Sequence, residues 1–67
     1  MVRVCVIGVG PIGKLHARIY KEDDLADLVG VCDVVEERAR ATGERLGAPW
    51  FTSAPRMLAA LAPDLCS

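Results

Sequence analysis

Three glycines stand within six positions near the start of the chain, in the run Gly8-Val9-Gly10-Pro11-Ile12-Gly13. The run has the GxGxxG spacing, follows a strand-like segment and opens a helix-like one, and each position has a separate physical task. Gly8 lets the chain leave a strand in a tight turn, Gly10 lets a pyrophosphate come close to the backbone, and Gly13 lets the helix pack against the strand. Pro11 suits the first turn of that helix, where a missing N–H costs nothing. The amides near Ile12 and Gly13 have no acceptor within the helix, and the helix dipole adds favourable potential for phosphate there. Asp33 follows Gly13 by 20 positions. A carboxylate at that place can accept hydrogen bonds from ribose hydroxyls, and its charge would repel a 2′-phosphate, which favours NAD over NADP. The implied ligand is a dinucleotide, with NAD first and NADP second. Plainer roles stay open at this point: a tight strand-to-helix turn without ligand, Asp33 as a helix cap or a solvated strand end, and Arg38 as a solvated helix residue rather than a contact to a 2′-phosphate or to adenine.

No other group of residues makes as good a case for chemistry. His16 is the one histidine and lies on the first helix, with no identifiable carboxylate or nucleophile as partner, so it reads as a packed or solvated helix residue. Asp23-Asp24 reads as a solvated turn rather than a metal site or an acid–base pair. Trp50 and Phe51 read as sheet core. Cys5, Cys32 and Cys66 are odd in number, far apart and set in apolar runs, and each reads as a small buried hydrophobe in a strand. There is no CxxC pair of the kind a zinc site would want.

The elements that must position the glycines and Asp33 follow from periodicity and punctuation. Val2 to Ile7 reads as a strand buried on both faces. Pro11 to Glu22 reads as a helix with Ile12, Leu15 and Ile19 as its apolar stripe. Leu28 to Asp33 reads as a second buried strand. Val35 to Leu46 reads as a second helix, with Glu36 and Glu37 in its first turn, Arg45 in its last, Gly47 as its cap and Pro49 beyond it. Gly43 inside that helix reads as a weakness of about 1 kcal/mol relative to alanine. Trp50 to Thr52 reads as a short third strand. Ser53 caps a third helix with Pro55 in its first turn, and Met57, Leu58 and Leu61 form the side that packs. Pro63-Asp64 is a turn, and Leu65-Cys66-Ser67 opens a fourth strand. Strict alternation of this kind predicts an α/β fold, a Rossmann-type parallel sheet with flanking helices.

Composition narrows the partners. The 67 residues are 52% apolar and 25% charged, with a net charge of −1 spread along the chain. No basic stripe or acidic tail points to nucleic acid or to an anionic membrane surface. The uncharged run from residue 4 to 13 is shorter than the ~20 residues a spanning helix takes, and its glycines and proline are wrong for a signal peptide. A reducing, cytoplasmic setting is the expectation.

The stretch VRVCVIGVGPIGKLHARIY, with LVGVCD, ERA, LGAPWFTS and PDL after it, resembles the N-terminal domain of the Gfo/Idh/MocA oxidoreductase family over essentially the whole chain. The resemblance implies that a nicotinamide dinucleotide sits on Gly8, Gly10, Pro11, Ile12, Gly13 and Asp33, with Arg38 a weaker carry-over. It also implies a parent enzyme, a homo-oligomer, that moves a hydride to or from a carbinol carbon of a sugar, cyclitol or similar polyol. Residues 1–67 are then the N-terminal part of a dinucleotide-binding domain. The family's loop beside the nicotinamide, its lysine-bearing EKP-type motif and its substrate and oligomerisation domain have no counterpart in these residues, so no catalytic residue carries over. The Thr42-Gly43 pair departs from the more helical residues usual at that place. Two rivals remain: a non-catalytic nucleotide-binding or interaction module, and an S-adenosylmethionine methyltransferase, against which the Pro-Ile within GxGxxG argues.

Overall fold

The apolar run at the start of the chain becomes a strand covered on both faces. The computed structural model describes residues 1–67, in the order β1 (Val2–Ile7), α1 (Pro11–Glu22), β2 (Ala26–Cys32), α2 (Glu36–Leu46), β3 (Trp50–Phe51), α3 (Ala54–Leu61) and β4 (Leu65–Cys66). The four strands form one parallel sheet in the order β3-β2-β1-β4. The chain thus steps outward from β1 to β2 to β3, then returns to the far side of β1. That reversal leaves a crevice beyond the carboxyl ends of β1 and β4, the place where open α/β sheets bind ligands.

Two-sided burial follows the pleat. Val6 and Val31 face one side, in a core with Val9, Ala17, Leu28 and Ala48, against which Tyr20, Leu46 and Trp50 pack. Cys5 and Cys32 face the other side with Met57, flanked by Val29, Phe51, Ala54 and Leu61. Helices α1 and α2 therefore cover one face and α3 the other. Burial pushes the thiol pKa of Cys5 and of Cys32 upward, as expected for small core hydrophobes.

Several expectations need correction. The Ile12, Leu15 and Ile19 stripe is not the packed face of α1, for these side chains are 68%, 44% and 51% exposed. The helix instead turns Gly13, Ala17 and Tyr20 toward the sheet. A Cβ on Gly13 would overlap the Gly8 carbonyl oxygen. Close approach, which only small residues permit, thus outweighs the larger apolar stripe in setting the helix's rotation. Leu58 is likewise exposed while Met57 is fully buried, and Cys66 is exposed because β4 is a two-residue edge strand. The second strand begins at Ala26, where pairing with Val2 and Arg3 holds residues whose own pattern is not strand-like. It ends at Cys32, and α2 begins at Glu36 with Val35 as its flanking residue. Gly43 is no defect. An added Cβ would lie 2.8 Å from both the Ala48 carbonyl oxygen and Trp50 Cβ, so α2 meets β3 through the missing side chain.

The remaining punctuation works as its chemistry suggests. The Ser53 hydroxyl accepts from Arg56 N at 3.3 Å and caps α3. Gly47 closes α2 in the left-handed region at φ 67°. No helix is long and apolar enough to cross a membrane.

Candidate functional site

The glycine run lies at the carboxyl end of β1, beside the crevice. Ile7 N donates to Ser67 O at 2.8 Å and Gly8 N to Cys32 O at 2.8 Å, which ties the end of β1 to both neighbouring segments. Gly8 then takes φ +86°, a value that favours glycine, and turns the chain out of the sheet. Val9 dips back into the core, fully buried. Gly10 caps α1 in extended conformation with no side-chain hydrogen bond, and Pro11 opens the helix.

The start of α1 is left unpaired. The helix's hydrogen bonding begins with Lys14 N donating to Gly10 O at 2.8 Å, and the amides of Gly10, Ile12 and Gly13 donate to no group of the chain. No acidic residue stands in the first turn of α1, whereas Glu36 and Glu37 occupy that of α2. An uncompensated helix start with free amides favours an anion.

The glycines separate by what a side chain would meet. At Gly13 the obstacle is the protein's own backbone, as described for the fold. At Gly10 the backbone is ordinary, with φ −66°, and a Cβ would meet nothing within 4 Å. Nothing inside this chain forbids a side chain there. The backbone at Gly10 is open on the side a Cβ would take, next in sequence to the free amides, as the close approach of a pyrophosphate requires of such a cradle.

Asp33 is buried immediately behind this cradle. Its Oδ2 accepts from Val9 N at 3.0 Å, and its Oδ1 accepts from Val35 N at 2.8 Å. One carboxylate therefore pins the glycine turn and shapes the approach to α2. The Val35 and Val9 amide hydrogen bonds hold the Asp33 pKa below the usual carboxylate value, against the opposing effect of burial, with a further contribution from the Arg38 charge. Asp33 is not the cap of α2: Val35 holds the N-cap position with no side-chain bond, and Asp33 binds the amide of Val35 just before the helix. A carboxylate oxygen has two lone pairs, so capacity remains for a hydroxyl at either one.

The structure brings Gly8, Gly10, Pro11, Ile12, Gly13 and Asp33 to one end of the sheet. Arg38 sits exposed on the first turn of α2, near enough for its charge to act on Asp33 but without a hydrogen bond to it. His16 lies apart on α1, exposed, beside Ile19, Tyr20 and Ser67. No group of three or more His, Cys, Asp or Glu could hold a metal ion. Sequence reasoning missed Val9, whose amide is the link between turn and carboxylate. The signal was present in a β-branched residue set between two glycines, too apolar for an exposed loop.

The chain belongs to the Gfo/Idh/MocA family. The model of that family, an oxidoreductase family with an NAD-binding Rossmann fold, matches residues 2–67. Among curated proteins the chain is similar to myo-inositol 2-dehydrogenase of Thermotoga maritima, with 47% identity over 45 residues that make up 67% of this chain and 14% of that protein. Among solved structures it superposes on a putative myo-inositol dehydrogenase of Sinorhizobium meliloti 1021, with TM-score 0.89 and 30% identity over 98% of this chain and 20% of that one. It is also similar to the WlbA dehydrogenase of Bordetella pertussis in complex with NADH and UDP-GlcNAcA, with TM-score 0.86 and 33% identity over 97% of this chain and 20% of that one. The chain thus spans about a fifth or less of the length of these relatives.

Proposed function

We propose that this chain is the coenzyme-holding part of an NAD-dependent oxidoreductase that interconverts a carbinol and a carbonyl on a sugar, cyclitol or similar polyol. The relatives' names support the substrate class, and the cradle supports the coenzyme. When bound, the nicotinamide ring supplies the hydride acceptor or donor. This chain's residues bind and orient. The amides of Gly10, Ile12 and Gly13 hold the pyrophosphate, Gly8 and Pro11 fix the turn that aims them, and Asp33 receives the adenosine ribose hydroxyls. Its ionised state at neutral pH disfavours a 2′-phosphate, so NAD is preferred to NADP. Arg38 lines the rim on the adenosine side. No residue of the chain is assigned to proton transfer, since the residues that form the cradle include no histidine, lysine or second carboxylate.

One observation carries this reading: the missing side chain at Gly10 is needed by nothing within the fold. Gly10→Ser therefore separates folding from binding. A serine at this position supplies the absent N-cap and should stabilise the fold by a few tenths of a kcal/mol, whereas Gly10→Ala should cost up to about 1 kcal/mol. Both should weaken NADH binding by at least about tenfold, because the side chain occupies the diphosphate's place. NADH fluorescence titration alongside thermal unfolding reads both quantities. A folded Gly10→Ser protein that binds NADH as tightly as the unaltered chain would overturn the assignment.

A further inference from the structure

A second cleft, of about 210 Å³, opens between α1 and α2, and its occupant is assigned by nothing described so far. Lys14 and Arg18 face it from successive turns of α1, and Arg45 faces it from the last turn of α2. Leu15 and Leu46 give it apolar walls, and no acidic side chain lines it. Pro11 is the one cradle residue that also borders it. Like charges one turn apart on a helix repel, and a third cation from the facing helix adds to that repulsion.

Thr42 supplies an independent observation. It lines the same cleft, is 5% exposed, and its Oγ1 has no hydrogen-bond partner. A hydroxyl left unpaired at such depth is costly, and native structures rarely leave one without a reason. Its neighbour Gly43 is fixed by the contact with β3, whereas the Thr42 hydroxyl makes no hydrogen bond. Three converging cations and one idle buried hydroxyl share a need for an anionic, oxygen-rich partner.

We infer that this cleft binds a small phosphate-bearing anion, inorganic phosphate or a phosphate monoester, held by Lys14, Arg18 and Arg45 with the Thr42 hydroxyl as a further donor. Phosphate is favoured over a monocarboxylate because three cations need nearly two negative charges, and because guanidinium forks match phosphate oxygens. The leucine walls accommodate a short carbon skeleton. At about 210 Å³ the cleft is below the ~300 Å³ at which ordinary ligand pockets begin, a size in keeping with a small anion. The cleft adjoins the dinucleotide cradle at Pro11 and Lys14, but the cations and hydroxyl assigned to phosphate are not the groups assigned to the dinucleotide, so titrations with the two ligands distinguish the two assignments.

The test is a titration of the ¹⁵N-labelled protein with inorganic phosphate and, separately, with glycerol 3-phosphate at constant ionic strength. Saturable amide shifts should centre on Lys14, Leu15, Arg18, Thr42 and Arg45. The double variant Arg18→Gln/Arg45→Gln, at two exposed positions, should lose about tenfold or more in phosphate affinity while its NADH affinity stays within about twofold, because neither arginine belongs to the cradle. Thr42→Val should weaken phosphate binding several-fold without lowering the melting temperature in phosphate-free buffer, since it removes an unpaired hydroxyl and little else. Equal affinity for the two probes supports a free-phosphate site, and tighter binding of glycerol 3-phosphate supports an ester site. Shifts confined to residues 8–13, shifts that never saturate, or an affinity unchanged in the double variant would each overturn the inference.

Discussion

Asp33 does two things at the scale of a single residue. It braces the glycine turn through Val9 and the approach to α2 through Val35, and in the proposed function it also receives the ribose. Its folded pKa lies below the value of 3.8 taken for a free aspartate. The ionised carboxylate therefore stabilises the fold, fully so above the unfolded pKa, and this contribution is lost as pH falls through the folded pKa. Asp33→Asn keeps an acceptor for one amide but leaves the other facing an NH₂ group, at a cost of about 1–3 kcal/mol near neutral pH. The stability gap between the two proteins, followed by urea unfolding, should be constant from neutral pH down to about pH 5 and should narrow below about pH 4, as the native carboxylate protonates. A gap that is independent of pH would mean that the charge itself contributes nothing. Position 33 was legible because an acid at the end of a second strand, 20 residues past a glycine motif, has a recognised use. The bond to Val9 was not legible, because it joins two residues across a sheet whose register no local pattern specifies.

At the scale of elements, the helices dock by their small residues. End signals and apolar spacing together located the three helices, but the spacing misjudged which side of α1 meets the sheet, since periodicity weighs the size of apolar side chains and not how closely two backbones must come. Gly13 and Ala17 on α1 and Gly43 on α2 mark the true contact lines. Helix propensity alone predicts that Gly43→Ala stabilises by about 1 kcal/mol. The contact geometry predicts the reverse, because the new methyl meets the Ala48 carbonyl and Trp50 Cβ, neither of which can swing away as a flexible side-chain tip could. Overpacking of this kind costs about 1–3 kcal/mol. A melting temperature clearly below that of the unaltered chain is the expected result, with tryptophan emission from Trp50 reporting the disturbed contact. A rise would show that α2 can shift freely on the sheet. The strand ends follow the same logic. Ala26 and Asp27 are extended because β1 pairs with them, a cause that lies outside their own neighbourhood in sequence.

The molecule as a whole has a well-made centre and open margins. Its core is drawn from 11 buried apolar residues, both edge strands have only two residues, and Ile7, Ile12, Leu15, Ile19 and Leu65 on β1, α1 and β4 are left exposed. A chain near 60 residues buries only about 60% of its unfolded surface, and its stability is correspondingly marginal. On its own, the 67-residue chain should therefore melt low and broadly. The cradle gives it a specific remedy, because a ligand that binds only the folded state stabilises it by RT ln(1 + [L]/Kd), about 2.7 kcal/mol at a hundredfold excess over Kd. At roughly 4–8 °C per kcal/mol for a domain of this size, NADH at that excess should raise the melting temperature by more than 10 °C and sharpen the transition. Gly10→Ser should abolish most of that rise even though it starts from an equal or higher temperature, and scanning calorimetry with and without NADH distinguishes the two effects. A sharp, high transition that NADH leaves unmoved would contradict both the marginal fold and the coenzyme cradle. A low transition that NADH leaves unmoved would contradict the cradle alone.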